Sequence, residues 1–327
     1  PSRATKRAKH SSSAAVVGRL PMLDLMPRPF AIGVQLPEVE RQVRWRELRA
    51  IALTAEHVGF DSLWVGDHLL YRSGNGVRGP WEAWSVMAAL AAVTDRVQIG
   101  PLVAATSFHS PPMLAKKAAT VDEISGGRFI LGLGAGWNRT EYDAFGFPFD
   151  HRASRFEEAF TIIRTLLREG ATQFSGDYYT ALDCELVPRP RPGGPPLMVG
   201  SQGPRVLRAT LPHVDMWNAW HAWFGNNPSG LRKMMETIDA ICIEVGRDPS
   251  EVSRTVAIMV QAPGGEGRIY GDTEHAGAVP IAGSPEEIAD ALRGFAMPGL
   301  NHVQLVVDPI TVESVEWLGR TLAELDR

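Results

Sequence analysis

Short apolar runs alternate with longer amphipathic segments from about residue 29 to the end of the chain. The central run, 129–133, lies between a Gly-Gly pair and the Gly-Ala-Gly turn 134–136, which is typical of a strand buried on both faces. Seven other runs have the length of a strand. The pattern predicts eight strands over residues 30–36, 61–65, 97–103, 128–133, 197–199, 215–219, 252–261 and 303–307.

Between these runs, apolar residues recur at helical spacing, and helix-ending and helix-starting residues lie at the expected positions. Gly59 follows the first such segment, Pro111-Pro112 opens the third, and Ser284 precedes Glu287 with capping-box spacing. We predict eight helices over residues 45–58, 81–93, 111–124, 152–168, 204–211, 231–245, from 284 onward, and 311–325. An inserted hairpin is predicted at 174–190, within an insertion at about 171–196. Loops are predicted at 71–80, which is long enough to be a lid, and at 137–150 and 263–282.

Strand and helix alternate eight times, which indicates parallel pairing through right-handed crossovers. The fold class is therefore α/β, and the expected architecture is a (β/α)8 TIM barrel formed by residues 29–327. An open doubly wound sheet is the alternative. The barrel is favoured because the last unit is as regular as the first and no edge strand stands out. In such barrels the chemistry lies at the carboxyl ends of the strands.

Composition narrows the class of protein further. The 327 residues are 44% hydrophobic and carry a net charge of −4 with both signs mixed, which gives no support for a nucleic-acid partner. No apolar run approaches the roughly 20 residues of a membrane helix. Cys184 and Cys242 are far apart and form no redox motif, so we expect a cytoplasmic protein without disulfides. Residues 1–28 are expected to be a disordered basic leader, with a loose nucleic-acid- or surface-binding tail as the alternative.

Two predicted strands are followed directly by residues that can move protons or form hydrogen bonds. Asp67-His68 follows the second strand, and a histidine there can give or take a proton near neutral pH. The plainer interpretation is a loop-capping aspartate beside a histidine packed under the lid. Thr106, Ser107 and His109 follow the third strand, where they either contact a ligand ring or cap the next helix.

Glycine and tryptophan mark three further strand ends. The turn Gly134-Ala135-Gly136 either lets a flat ligand approach the backbone or is a tight strand exit. The run Gly200-Ser201-Gln202-Gly203 precedes a helix with Arg205 and Arg208, which predicts a phosphate site or an ordinary turn with surface arginines. Near the sixth strand we expect Trp217 in the core and Trp220 and Trp223 at a pocket. No spacing typical of a metal site appears at the strand ends.

One long stretch resembles a known family. Residues 114–137 (LAKKAATVDEISGGRFILGLGAGW) and 141–148 (EYDAFGFP) are similar to the bacterial luciferase-like monooxygenase superfamily, and in particular to its coenzyme F420-dependent branch. Gly66-Asp67-His68 and the segments 176–179 and 283–287 support the resemblance, which covers residues 29–327. FMN-dependent relatives share much of the central stretch.

The resemblance implies a TIM barrel with the cofactor ring in its mouth and with His68 as the proton-transfer residue, backed by Asp67. It implies a backbone bulge at Leu102-Val103, often with a non-proline cis peptide, behind the ring. Further cofactor contacts are implied at Gly134, Ala135, Gly136 and Asn138, and phosphate contacts at Gly200, Ser201, Gln202 and Gly203. Thr106, from its position after the third strand, is a further candidate for cofactor binding.

Trp137 departs from the sugar-phosphate dehydrogenases of this branch, which have a catalytic glutamate at the matching position. This departure suggests a flatter, more apolar small-molecule substrate. From their positions at strand ends we expect Trp220 and His109 in its pocket together with Trp137. The expected reaction is hydride transfer between F420 and that substrate, by a homodimer. The alternatives are an FMN-dependent monooxygenase supplied by a separate reductase and a non-catalytic flavin- or deazaflavin-binding protein.

Overall fold

The structure is a computed structural model that describes residues 28–73, 76–266 and 278–327. The leader predicted at 1–28 lies outside these residues except for Arg28. Arg28 belongs to the folded part of the chain, because its Nε donates to Asp326 Oδ1 at 2.7 Å and its Nη1 lies 3.5 Å from Asp61 Oδ2.

A parallel sheet contains all eight predicted strands and one short extra strand. The strands are β1 (Ala31–Gln35), β2 (Ser62–Val65), β5 (Gln98–Pro101), β6 (Ala104–Ala105), β7 (Leu131–Gly134), β10 (Leu197–Gly200), β11 (Met216–Ala219), β12 (Ser253–Gln261) and β13 (Leu300–Asp308). Their order in the sheet is β5-β2-β1-β13-β12-β11-β10-β7-β6. An isolated parallel bridge between Ile99 and Phe129 joins the β5 side to the segment before β7, so the sheet curls into a nearly closed barrel. The predicted (β/α)8 architecture is confirmed.

The eight predicted helices are present within the described ranges, and one more lies where the sequence predicts a loop. This helix, α4 (Arg139–Phe145), has Glu141 in its first turn and ends at Gly146, whose φ of 75° is left-handed. The prediction of a loop at 137–150 is therefore wrong for these seven residues. The other helices are α1 (Trp45–Val58), α2 (Ala83–Val93), α3 (Pro111–Ser125), α5 (Arg152–Glu169), α6 (Pro204–Thr210), α7 (Pro228–Glu244), α8 (Pro285–Arg293) and α9 (Val312–Leu325).

Two antiparallel hairpins lie outside the barrel sheet. The predicted insertion is confirmed as β8 (Ala171–Ser175) paired with β9 (Thr180–Glu185). The loop predicted at 71–80 instead contains a second hairpin, β3 (Tyr71–Ser73) and β4 (Gly76–Arg78), which is anchored where Arg78 donates to the Glu40 carbonyl at 2.6 Å. Of the loop predicted at 263–282, residues 267–277 lie outside the described residues.

Strand side chains alternate between two packed layers. One face of the sheet packs against the helices, and the other fills the barrel interior around Trp64, Ile130, Met198, Met216 and Val306. Gly33 is required here, because a Cβ at this position would lie 2.6 Å from Trp64 Nε1. Since the interior is packed with side chains, space for a ligand opens at the strand ends.

Candidate active site

A cavity of about 510 Å³ lies at the carboxyl ends of the barrel strands, within the size range of small-molecule sites. The ends of β1, β2, β5, β7, β10 and β11 all contribute to its wall. Most residues predicted for the site line it: Asp67, His68, Leu102, Val103, Gly134, Ala135, Gly136, Trp137, Gly200, Ser201, Gln202, Gly203 and Trp220.

His68 lies between two buried carboxylates. Its Nδ1 is 3.0 Å from Glu141 Oε2, and its Nε2 is 3.8 Å from Glu38 Oε1. The Glu38 and Glu141 side chains are 6% and 1% exposed. Burial alone lowers the pKa of His68, but the charge of Glu38, the hydrogen bond and charge of Glu141, and the charge of Asp67 together raise this pKa to about 9. The imidazole is therefore positively charged at neutral pH.

Glu141 reaches His68 from the first turn of α4. Its Oε1 also accepts hydrogen bonds from the backbone N–H groups of Leu69, at 2.5 Å, and Leu70, at 3.3 Å, so it fixes the loop that carries the histidine. This role was not predicted, because a loop was expected at 137–150. The signal that was available is Asn138 followed three residues later by Glu141, a spacing typical of a helix start.

Glu38 lies just beyond β1, on the side of His68 opposite Glu141. Its carboxylate accepts hydrogen bonds from Gln35 Nε2 at 2.5 Å and from the Tyr71 hydroxyl at 2.6 Å. Tyr71 comes from the hairpin at the barrel mouth, and its ring centroid lies 4.9 Å from that of His68. The first strand was predicted to end at Leu36, and Glu38, two residues later, was not considered. Strand ends were nevertheless the expected positions for chemistry.

The predicted pairing of Asp67 with His68 needs correction. Asp67 Oδ2 accepts a hydrogen bond from the Ala105 N–H at 2.9 Å and lies 3.0 Å from His109 Nε2. Asp67 therefore joins the end of β2 to β6, while Glu141 is the hydrogen-bonding partner of His68. His109 lies behind Asp67, outside the cavity wall, so the structure does not place it in the predicted substrate pocket.

Two other predicted cofactor residues also lie outside the wall. The Thr106 hydroxyl donates to the Gly134 carbonyl at 3.3 Å, and Asn138 Nδ2 donates to the Leu70 carbonyl at 3.2 Å. Both side chains hold the backbone of wall segments in place.

The floor of the cavity is formed at Leu102-Val103, where the peptide bond is cis, as the resemblance implies. The Val103 side chain occupies the space above two strand-end glycines. A Cβ at Gly134 or at Gly200 would lie 2.7 Å or 2.9 Å from a Val103 methyl group. Glycine is therefore needed at these two strand ends to make room for the Val103 side chain. From the sequence, only the approach of a ligand or a tight strand exit was expected.

The arginines near the predicted phosphate segment lie elsewhere. Arg205 pairs with Glu157 and Arg208 with Glu244, each at 2.7 Å on the exposed helix surface. Neither of them lines the cavity, and the helix they belong to, α6, is only seven residues long. Arg152 is the arginine in the wall; it donates to the Gly136 carbonyl at 2.7 Å and was missed from the sequence.

Aromatic side chains form the outer wall. Trp137 is 45% exposed, and its ring centroid is 5.7 Å from that of His68. Trp220 and Trp223 line the opposite side, and Phe108 and Tyr71 complete the aromatic wall. Trp217 is fully buried and donates to the Ser201 carbonyl at 2.8 Å, so its predicted core position is confirmed.

Among residues 28–73, 76–266 and 278–327, no group of three or more His, Cys, Asp or Glu side chains is arranged to hold a metal ion. Within the same ranges, none of the helices combines the length and apolar character that crossing a membrane requires.

Comparison with known proteins gives the class to which this fold and cavity belong. The family model described as luciferase-like monooxygenase matches residues 29–263, and the chain therefore belongs to this family. Its fold is similar to that of an F420-dependent secondary alcohol dehydrogenase solved with an F420-acetone adduct. The TM-score is 0.76, over 90% of this chain and 99% of that one, at 22% identity.

Two curated relatives are more similar in sequence. The chain is 38% identical over 168 residues to the F420-dependent glucose-6-phosphate dehydrogenase of Amycolatopsis mediterranei, an alignment that covers half of each protein. It is 33% identical over 234 residues to the pyrimidine monooxygenase RutA of Klebsiella pneumoniae, with 68% of this chain and 57% of that protein covered. Both relatives are oxidoreductases by name.

Proposed function

We propose that the protein is an F420-dependent oxidoreductase that transfers a hydride between the deazaflavin and a small apolar substrate. The observation that carries this proposal is the charged His68 at the cavity wall, held between Glu38 and Glu141 and beside an aromatic wall. The similarity to a dehydrogenase named as F420-dependent supports the choice of cofactor.

The residues of the cavity fit such a cofactor. Leu102 and Val103 form an apolar floor suited to a flat ring, and Ser201, Gln202 and Arg152 offer polar groups for an anionic tail. When bound, F420 supplies the two-electron hydride chemistry. The protein binds and orients the two reactants, excludes water with its aromatic wall, and holds a proton at His68 Nε2.

The charges around His68 favour a neutral substrate. Two carboxylates face one imidazolium, and Trp137 stands beside them where a sugar-phosphate enzyme of this branch would have glutamate. A phosphorylated substrate would need a cation at this end in addition to Arg152, which we assign to the anionic tail of the cofactor. Glucose 6-phosphate, the substrate in the name of the Amycolatopsis relative, is therefore not the substrate we propose.

The second candidate function is an FMN-dependent monooxygenase that receives reduced flavin from a separate reductase. The similarity to pyrimidine monooxygenase RutA over 68% of the chain favours it. The two functions differ in oxygen use, because deazaflavins do not readily activate oxygen. For either function we propose a cytoplasmic homodimer, in keeping with two cysteines that are both free thiols.

The test is a fluorescence titration of the purified protein with F420 and, separately, with FMN. We expect tight F420 binding and weak FMN binding. Gln202→Trp, which places a bulky ring on the cavity wall, should weaken F420 binding about tenfold or more, equivalent to about 1.4 kcal/mol. Gln173→Trp on the exposed β8–β9 hairpin is the matched control and should bind normally.

Tight FMN binding with oxygen consumption would replace the proposal by the monooxygenase. Binding of neither cofactor would contradict both functions.

A further inference from the structure

A second cavity, of about 250 Å³, lies beside the active-site cavity. It is bounded by the segment after β1, by the start of α1 and by Gly79–Trp81. Among the residues that the structure describes, Glu38 is the single one that lines both this cavity and the active-site cavity. Glu38 therefore borders both spaces.

The second cavity communicates with solvent, whereas the Glu38 side chain is buried. Gln42, Arg44 and Trp81 on its wall are exposed, with Trp81 at 51%, whereas the Glu38 side chain is 6% exposed. Hydrogen bonds from Gln35 and Tyr71 hold the Glu38 carboxylate in place, with Oε1 3.8 Å from His68 Nε2. A small shift of either side chain would bring these two atoms within hydrogen-bonding distance.

Glu141 cannot connect His68 Nε2 with the second cavity. It contacts the other ring nitrogen, Nδ1, and its 1% exposed carboxylate also accepts hydrogen bonds from Leu69 and Leu70. It does not line the second cavity. Glu141 therefore orients the imidazole, whereas Glu38 is the residue that both approaches Nε2 and borders the second cavity.

We propose that Glu38 is the proton relay that reloads His68 from the second cavity, so that the site acts as a proton donor in the reducing direction. This inference rests on the proposed function. The imidazole is influenced by the charges of Glu38, Glu141 and Asp67 and lies beside the Tyr71 ring, with the two centroids 4.9 Å apart, while Arg41 in the second cavity pairs with Glu47.

The protons balance in three transfers. A hydride from reduced F420 would form a C–H bond at an unsaturated substrate carbon, and the displaced π electron pair would take the proton from His68 Nε2. Solvent acid in the second cavity then protonates the Glu38 carboxylate. The Glu38 carboxyl passes this proton to the neutral imidazole, which restores both groups to their starting states. A histidine that is charged at rest suits this direction, because it begins the cycle with a proton to give.

The test compares wild type, Glu38→Gln and Glu38→Asp in two measurements, with Glu123→Gln on the exposed face of α3 as the matched control. The first is the NMR titration of His68 in the cofactor-free protein. Glu38→Gln should lower the His68 pKa from about 9, and Glu123→Gln should leave it unchanged. This measurement also confirms that the variants are folded.

The second measurement is the turnover rate with reduced F420 as a function of buffer acid. Because general acid–base transfer contributes about 10²–10⁴-fold, Glu38→Gln should lower kcat by about tenfold or more at low buffer concentration. A small acid such as formate or imidazole buffer should enter the second cavity and restore the turnover rate of Glu38→Gln. Glu38→Asp should retain part of the wild-type rate without added acid.

The relay is overturned if Glu38→Gln turns over at the wild-type rate at every buffer concentration, or if its loss is not restored by any small acid. It is also overturned if the His68 pKa does not move. Failure of the proposed function would appear differently, as no turnover of wild-type protein with reduced F420, while the His68 titration still responded to Glu38→Gln.

Discussion

Two histidines of this barrel are largely buried and have opposite charge states. His68 at the mouth lies between Glu38 and Glu141, and its pKa is raised to about 9. His302 in the barrel interior contacts Ser62 Oγ through Nε2 at 2.7 Å and packs T-shaped against Trp64 with the ring centroids 5.6 Å apart, and burial lowers its pKa to about 4. One imidazole is charged at neutral pH and the other is neutral.

The comparison separates the two effects that shift a buried titratable group. Desolvation acts on both rings and disfavours the charged form. At His68 the nearby carboxylates outweigh it, whereas at His302 the hydrogen-bonding partner is a hydroxyl, which also accepts from Trp64 Nε1 at 2.7 Å. Burial therefore does not decide which histidine can donate a proton; the charge of its neighbours does.

Removing the imidazole at the mouth should have the largest effect. His68→Ala should lower kcat by about 10²–10⁴-fold, the usual contribution of a general acid, while cofactor affinity changes little because the apolar floor remains. Steady-state kinetics together with the cofactor titration measure the two quantities separately.

His57→Gln, on the exposed last turn of α1, serves as the control. Wild-type activity in His68→Ala would remove this residue from the mechanism. A parallel loss of cofactor binding would instead indicate that the ring shapes the cavity.

The stability of the protein should respond to pH in opposite directions at the two sites. His68 has a folded pKa of about 9, above the unfolded value of about 6.5, so its contribution is full below about pH 6.5 and is lost as the pH rises through 9. His302 has a folded pKa of about 4, so its neutral form loses stability as the pH falls from about 6.5 to 4. Each effect amounts to roughly 3 kcal/mol at 1.36 kcal/mol per pKa unit.

The alkaline part of this prediction is checked by urea unfolding of wild type and His68→Gln at a series of pH values between 6 and 10, which gives the free energy of unfolding at each pH. The variant should lose less stability than wild type over this range, and on the acid side the two proteins should behave alike. Identical alkaline profiles would mean that His68 is not held as a cation.

The barrel was predictable from sequence because its signals are local. Each strand is a short apolar run, and residues such as Gly59 and the Ser284–Glu287 pair mark helix ends with their own backbone chemistry. Helix α4 and the hairpin β3–β4 were not predicted because they are short, so that few residues show their periodicity. Their positions depend on contacts with distant parts of the chain, such as Arg78 with Glu40.

The site was less predictable, because its charges are assembled from segments far apart in sequence. His68 could be identified as a candidate from its position directly after a strand. Its partner Glu141 lies 73 residues away in the sequence, and Glu38, on another strand end, comes close to it only in the folded protein. Sequence proximity favoured Asp67 as the partner, whereas adjacent residues on an extended segment point in different directions. Asp67 accordingly bonds to Ala105.

The smallest effect is expected in the barrel interior, where His302→Gln should change stability and leave catalysis intact. Losing the bond to Ser62 should lower the free energy of unfolding by about 1–3 kcal/mol, the usual cost of a disturbed buried hydrogen bond. The stability lost between pH 6.5 and 4 should also diminish, since the neutral imidazole that causes it is gone. Urea unfolding at pH 7 and pH 5, with His57→Gln as control, measures both. A large fall in kcat without a change in stability would show that the interior histidine is coupled to the mouth, and the division between a proton-donating and a purely structural histidine would then be wrong.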